Sequence, residues 1–122
     1  MGTWGSGNFQ NDTAADYLAG VIKRLVTEVT DALAGDPVIL EPDEFWGAVV
    51  PCNVELLYVL ASSGYTPGVY PKTQEVKEWK EAFMSVWERT IDNLQPVPGF
   101  KEERRAVLHR TFDQLAEVTA ER

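Results

Sequence analysis

The chain has 122 residues, 44% hydrophobic and 11% aromatic, with 19 Asp and Glu against 11 Lys and Arg for a formal charge of −8. That length suits one domain with one core, and the apolar content is too high for an intrinsically disordered chain. The charge balance speaks against a nucleic acid or an anionic membrane surface as partner, since both demand clustered Lys and Arg. The acid excess is also local. Glu28, Asp31, Asp36, Glu41, Asp43, Glu44 and Glu55 fall in 25–71 without a single Lys, Arg or His, whereas 72–122 carries ten acids and nine bases. A lone cysteine, Cys52, allows no internal disulfide and no cysteine-built metal site. The opening residues have neither a basic leader nor an apolar run, and no stretch reads as a membrane span. The expectation is a cytoplasmic protein without cofactor or metal.

The first periodic segment spans 12–34. Tyr17, Leu18, Val21, Ile22, Leu25, Val26, Val29 and Leu33 recur at steps of one and three, one face of an α-helix. Asn11 and Asp12 are N-cap residues, and Gly35-Asp36-Pro37 is a stop. Gly20, inside this helix, marks a close approach of another element. A second helical region covers 42–62, where Pro51 removes a backbone donor and clashes with the carbonyl of Gly47, so the spacing favours two pieces. Residues 64–72 form a Gly/Pro loop. Thr73 then caps a third helix over 74–94, whose Val76, Trp79, Phe83, Val86, Trp87, Ile91 and Leu94 face inward. Pro96, Pro98 and Gly99 break the chain at 95–100, and a last helix runs over 101–120. No strand alternation or internal repeat is present. The fold class is therefore all-α, a compact single-domain bundle of four to five helices over 1–122.

The least ordinary segment is 1–11, an aromatic and glycine loop that feeds into the first helix. Gly5 and Gly7 permit positive φ there, letting Trp4 and Phe9 both turn back onto the bundle. Asp12 and Asp16 sit one turn apart at a helix N-terminus, where the macrodipole favours negative charge. Trp4, Gly5, Gly7, Phe9, Asn11, Asp12, Ala14 and Asp16 together resemble the opening signature W-G-x-G-x-F-x-N-D-x-A-x-D of the small bacterial proteins catalogued as domain of unknown function 4259. That resemblance implies a fold and brings no established activity. Within the signature the residue types read as a structural clasp. Two carboxylates would repel a phosphate at the loop, no Walker arrangement follows, and the Ca²⁺ loop pattern is absent.

Other chemistry-bearing residues read plainly. His109 lacks a sequence partner and is a packing or surface residue, and Cys52 is a small apolar residue for the interior. Tyr65 and Tyr70 stand in the Gly/Pro loop, either at a recognition surface or folded back on the core. The residues therefore point to a non-enzymatic protein-binding module. A basic protein partner would meet an acidic face in 25–71, built from Glu28, Asp31, Glu41, Asp43 and Glu44 with Trp46, Tyr65 and Tyr70. An immunity protein or a regulatory adaptor has this character. The alternative is a carboxylate-based, metal-assisted enzyme around Asp12 and Asp16. A third reading is a homo-oligomer whose exposed aromatics form its own interface.

Overall fold

Asn11 opens the first helix as expected, its Oδ1 accepting the Ala14 N–H at 2.8 Å, and α1 runs over Asp12–Ala34. The computed structural model describes residues 2–65 and 68–120; Met1, Glu121, Arg122 and the Thr66-Pro67 centre of the expected 64–72 loop lie outside them. After α1 come a 3₁₀ turn at Pro37–Leu40, α2 over Phe45–Ser62, α3 over Thr73–Thr90, a second 3₁₀ turn at Ile91–Leu94, and α4 over Phe100–Ala120. The described residues contain four helices and no strand, an all-α bundle.

The two halves of the bundle are held in different ways. α3 and α4 are joined along their length by polar contacts that fix an antiparallel register. The Thr73 hydroxyl donates to the Ala116 carbonyl at 3.1 Å, Lys80 Nζ meets Asp113 Oδ1 at 2.8 Å, Arg105 grips Glu88 with two bonds of 2.8 and 2.9 Å, and Lys101 reaches Asp92 at 2.8 Å. Thr73 is thus the first helical residue with its hydroxyl spent across the pair, and Lys72 occupies the cap position. Beneath this ladder the Phe83 and Phe112 rings pack with centroids 5.6 Å apart, and Trp79 and Trp87 are buried. Over 91–94 the expected third helix tightens to a 3₁₀ turn, and Leu94 stays exposed.

α2 joins the two halves, packing most extensively on α4 and next on α1. Val50, Val54, Leu57 and Ala61 are buried on it, opposite Leu18, Ile22, Leu25 and Val29 of α1 and Leu108, Phe112 and Leu115 of α4. Pro51 lies inside this helix and does not divide it. An interior proline costs about 3 kcal/mol in a helix, and the buried residues on either side of it outweigh that cost. Residues 42–44 stay outside the helix, which begins at Phe45 behind the cap residue Glu44.

Close packing at the start of α2 depends on Gly47. A Cβ there would run into the Glu41 carbonyl oxygen and come within 2.7 Å of the Leu40 carbonyl oxygen. Gly20, by contrast, is exposed with nothing within 4 Å of an added Cβ, so it marks no approach of another element. α2 also has the length and mean hydropathy, 1.4, to cross a membrane, which the sequence reading did not give it. Apolar residues on two sides of one helix raise that mean: one side is buried in the bundle, the other faces outward.

Two outcomes follow from this packing. Gly47→Ala forces backbone apart and is expected to destabilise the fold by at least about 3 kcal/mol, lowering Tm by roughly 10 °C or more, whereas Gly20→Ala stabilises by about 0.5–1 kcal/mol. Thermal melts of both variants distinguish them. The Arg105 hydrogen bonds hold the Glu88 carboxyl below its usual range. The stabilisation from that pair is present above the ordinary carboxylate pKa and is lost as pH falls through the lower folded value. Glu88 is largely exposed, so the effect is small. Glu88→Gln should melt slightly below the parent at neutral pH and together with it in strong acid.

Candidate functional site

The 1–11 segment folds into a small closed loop. Thr3 and Asn11 form an antiparallel bridge, the Trp4 N–H donates to the Gln10 carbonyl at 2.9 Å, and the Gln10 N–H donates to the Gly7 carbonyl at 3.1 Å. Inside it the Gln10 side-chain Oε1 accepts the Gly7 N–H at 2.8 Å. Gly5 and Gly7 do not adopt positive φ, contrary to the expectation. What they provide is room: a Cβ on Gly5 would strike the Gln10 amide, and one on Gly7 would lie 3.0 Å from Oε1. Asn11 closes the loop from the other side, with Nδ2 donating to the Asn8 carbonyl at 3.3 Å.

Only one of the two rings turns back on the bundle. Phe9 packs on Tyr65, centroids 5.1 Å apart, while Trp4 stays 58% exposed because the bridge sets it beside Gln10 at the rim. Trp4, Phe9, Gln10, Ala15 and Ser63 to Tyr65 line a groove of about 510 Å³. Asp12 and Asp16 are exposed and are not among its lining residues. Among the described residues no three His, Cys, Asp or Glu gather closely enough to hold a metal ion.

The acidic segment lies at the opposite end of α1 and α2. Asp31 is on the last turns of α1, Asp36 caps the first 3₁₀ turn through the Val38 N–H at 3.0 Å, and Glu41, Asp43 and Glu44 lead into α2. Phe45 and Trp46 follow as an edge-to-face pair, centroids 4.9 Å apart. Glu28 leaves this group. It is half-buried, accepts the Asn53 Nδ2 donor at 2.9 Å and faces Arg24 at 3.7 Å, so it serves the α1–α2 contact. Tyr65 and Tyr70 leave it too. Tyr65 lies beyond the far end of α2, some 25 Å along the helix from Trp46, and Tyr70 donates its hydroxyl to the Tyr65 carbonyl at 3.2 Å. The structure thus separates the loop tyrosines from the acids with which the sequence reading grouped them, because α1 and α2 run antiparallel.

With this geometry in view, comparison with known families is decisive on kinship. The model of the family described as a domain of unknown function, DUF4259, matches residues 2–121. The chain belongs to that family. No curated protein and no solved structure matches it. The match takes in both the N-terminal loop and the whole helical bundle, so in this DUF4259 chain the loop and bundle fall within one family domain.

Two residues of the DUF4259 chain stand elsewhere than their types suggest. Cys52 is exposed, its Sγ 3.4 Å from the Ala48 carbonyl, in a groove with Leu56, Arg104, Val107 and Thr111. It sits on the outward side of α2, a side that one-dimensional periodicity could not tell from the buried one because both are apolar. His109 is half-buried on the α3 side of α4, and is not among the residues lining the Cys52 groove. Sequence reasoning missed Asn53, a buried amide that donates to the Leu25 carbonyl at 3.3 Å as well as to Glu28. The signal was there: a polar residue on the buried side of an apolar helix needs partners.

The loop makes its own prediction. Gln10→Ala removes the acceptor of the Gly7 N–H, and hydrogen exchange at the Gly7 amide should rise by about tenfold, corresponding to about 1 kcal/mol. The global Tm should move by only a few degrees. Unchanged exchange at Gly7 would show that the Gln10 side chain does not hold the loop.

Proposed function

We propose that this protein is a non-enzymatic protein-binding module, immunity- or adaptor-like, that takes a basic protein partner on the acidic end formed by Asp31, Glu41, Asp43 and Glu44. The observation that carries this reading is the distribution of ion pairs. Among the described residues three of the four ion pairs lie within α3, α4 and the 3₁₀ turn between them, and the fourth joins Arg24 to Glu28 within α1. Lys80, Lys101 and Arg105 of the second half are thus paired within that half, and among the described residues Asp31, Glu41, Asp43 and Glu44 form no ion pair. Uncompensated like charges close together in the chain oppose folding slightly and favour a cationic partner. Beside them the half-buried Trp46 and the exposed Val38 offer apolar surface of the kind that gives a charged encounter its lifetime. The enzyme reading around Asp12 and Asp16 has less support, since both residues are exposed and neither lines the neighbouring groove.

Affinity capture from the source cells tests this, comparing the parent chain with Glu41→Lys/Asp43→Lys/Glu44→Lys. The three reversals add six charges to the parent's −8. With both proteins matched in helical content by circular dichroism, the parent should retain a basic protein that the variant loses. Association with that protein should slow by about tenfold or more in the variant, and about 0.5 M salt should slow the parent in the same way. Identical capture by both chains would overturn the proposal.

A further inference from the structure

α2 is apolar on a second side that nothing in the bundle covers. Phe45, Ala48, Cys52, Leu56 and Val59 are all exposed, Leu56 at 50% and Val59 at 53%. At 100° per residue these five fall within about 80° of the helix circumference, in a stripe about 21 Å long. Monomers seldom leave such a contiguous apolar stripe in water, and one along a single helix invites another helix. We propose that the stripe pairs with the same stripe of a second copy of this chain, as an antiparallel two-fold dimer centred on Cys52.

Spacing and charge both select that occupant. Around Cys52 the exposed apolar residues are placed symmetrically: Ala48 and Leu56 at four residues on either side, Phe45 and Val59 at seven. In an isologous interface a residue that meets another is met by it in turn, so a two-fold axis at Cys52 sets Phe45 on the second copy's Val59 and Ala48 on its Leu56. The small residue faces the large one, as interdigitating helices require. The acids decide the direction. Glu41, Asp43 and Glu44 lie at the start of α2, while its last turn and exit, Ser62-Ser63-Gly64, are uncharged. A parallel pair would set the acidic ends against each other, whereas an antiparallel pair lays each over the second copy's neutral end and opposes the helix dipoles. Beside the stripe, Glu55 and Arg104 line one groove of about 280 Å³ without forming an ion pair with each other. That border carries one charge of each sign, which suits a self-complementary surface and gives a strongly charged partner no purchase.

The inference is independent of the basic partner proposed above, whose acids stay outside the stripe. Light scattering on the parent chain should give twice the 13.6 kDa chain mass at tens-of-micromolar concentration. A short bis-maleimide should join two chains through Cys52, the only cysteine. Leu56→Glu and, separately, Val59→Glu should weaken association at least about tenfold and abolish the cross-link. Both positions are exposed, so melting and helical content should stay near the parent's, and two variants guard against one of them misfolding. A monomeric parent, a dimer that both variants leave intact, a dimer that does not cross-link at Cys52, or a monomer that floats with phosphatidylcholine vesicles would each overturn the proposal.

Discussion

The approach of Gly47 to the backbone of Glu41 fixes where α2 enters the bundle, and most of the remaining structure depends on where α2 lies. With no side chain at that point, the first 3₁₀ turn lies directly on the helix, and α2 runs back along α1. Asn53 then ties the two helices at mid-length by donating to the Leu25 carbonyl and to Glu28. A buried amide without those acceptors would cost about 1–3 kcal/mol, so the pair of bonds also specifies register. α4 packs on the same helix, and α3 is held to α4 by its polar ladder. Displacing α2 would therefore disturb every interface in turn.

That arrangement sorts the surface into regions of different character. The α3–α4 half neutralises much of its own charge, with Arg105 bonded to Glu88 and lying over the Trp87 ring at 5.5 Å. Among the described residues, the carboxylates at the end formed by the α1–α2 connection enter no ion pair, and Phe45 and Trp46 follow them in the chain. The other end carries the glycine loop with Phe9 on Tyr65. Between the ends runs the outward apolar stripe of α2. An antiparallel dimer through that stripe would carry one acidic end at each extremity.

Much of this was legible along the chain. The stripes at three- and four-residue spacing located all four helices, Asn11 acted as the cap its type suggests, and the excess of acids over bases before residue 72 was visible by counting. The misreadings share a cause. Gly5 and Gly7 read as sites of positive φ, yet the demand on them is steric and comes from the Gln10 side chain, which no backbone rule anticipates. Pro51 read as a break, yet its local cost is smaller than the burial on both sides of it. Cys52 read as interior because its residue type usually is.

By itself the sequence determined the helical class, the helix positions to within a few residues, the charge asymmetry and the family signature. All of these are properties of neighbours along a chain, set by a 3.6-residue period and by the placement of capping and breaking residues. Only the tertiary structure decided which of α2's two apolar sides is buried, that Glu28 is drawn into the α1–α2 contact, and that Tyr65 and Tyr70 stand at the far end from the acids. Those outcomes turn on distances through space between residues far apart in sequence, such as the 28 positions between Leu25 and Asn53. Periodicity identifies the apolar sides of a helix, and packing against the neighbouring helices selects the one that goes inside.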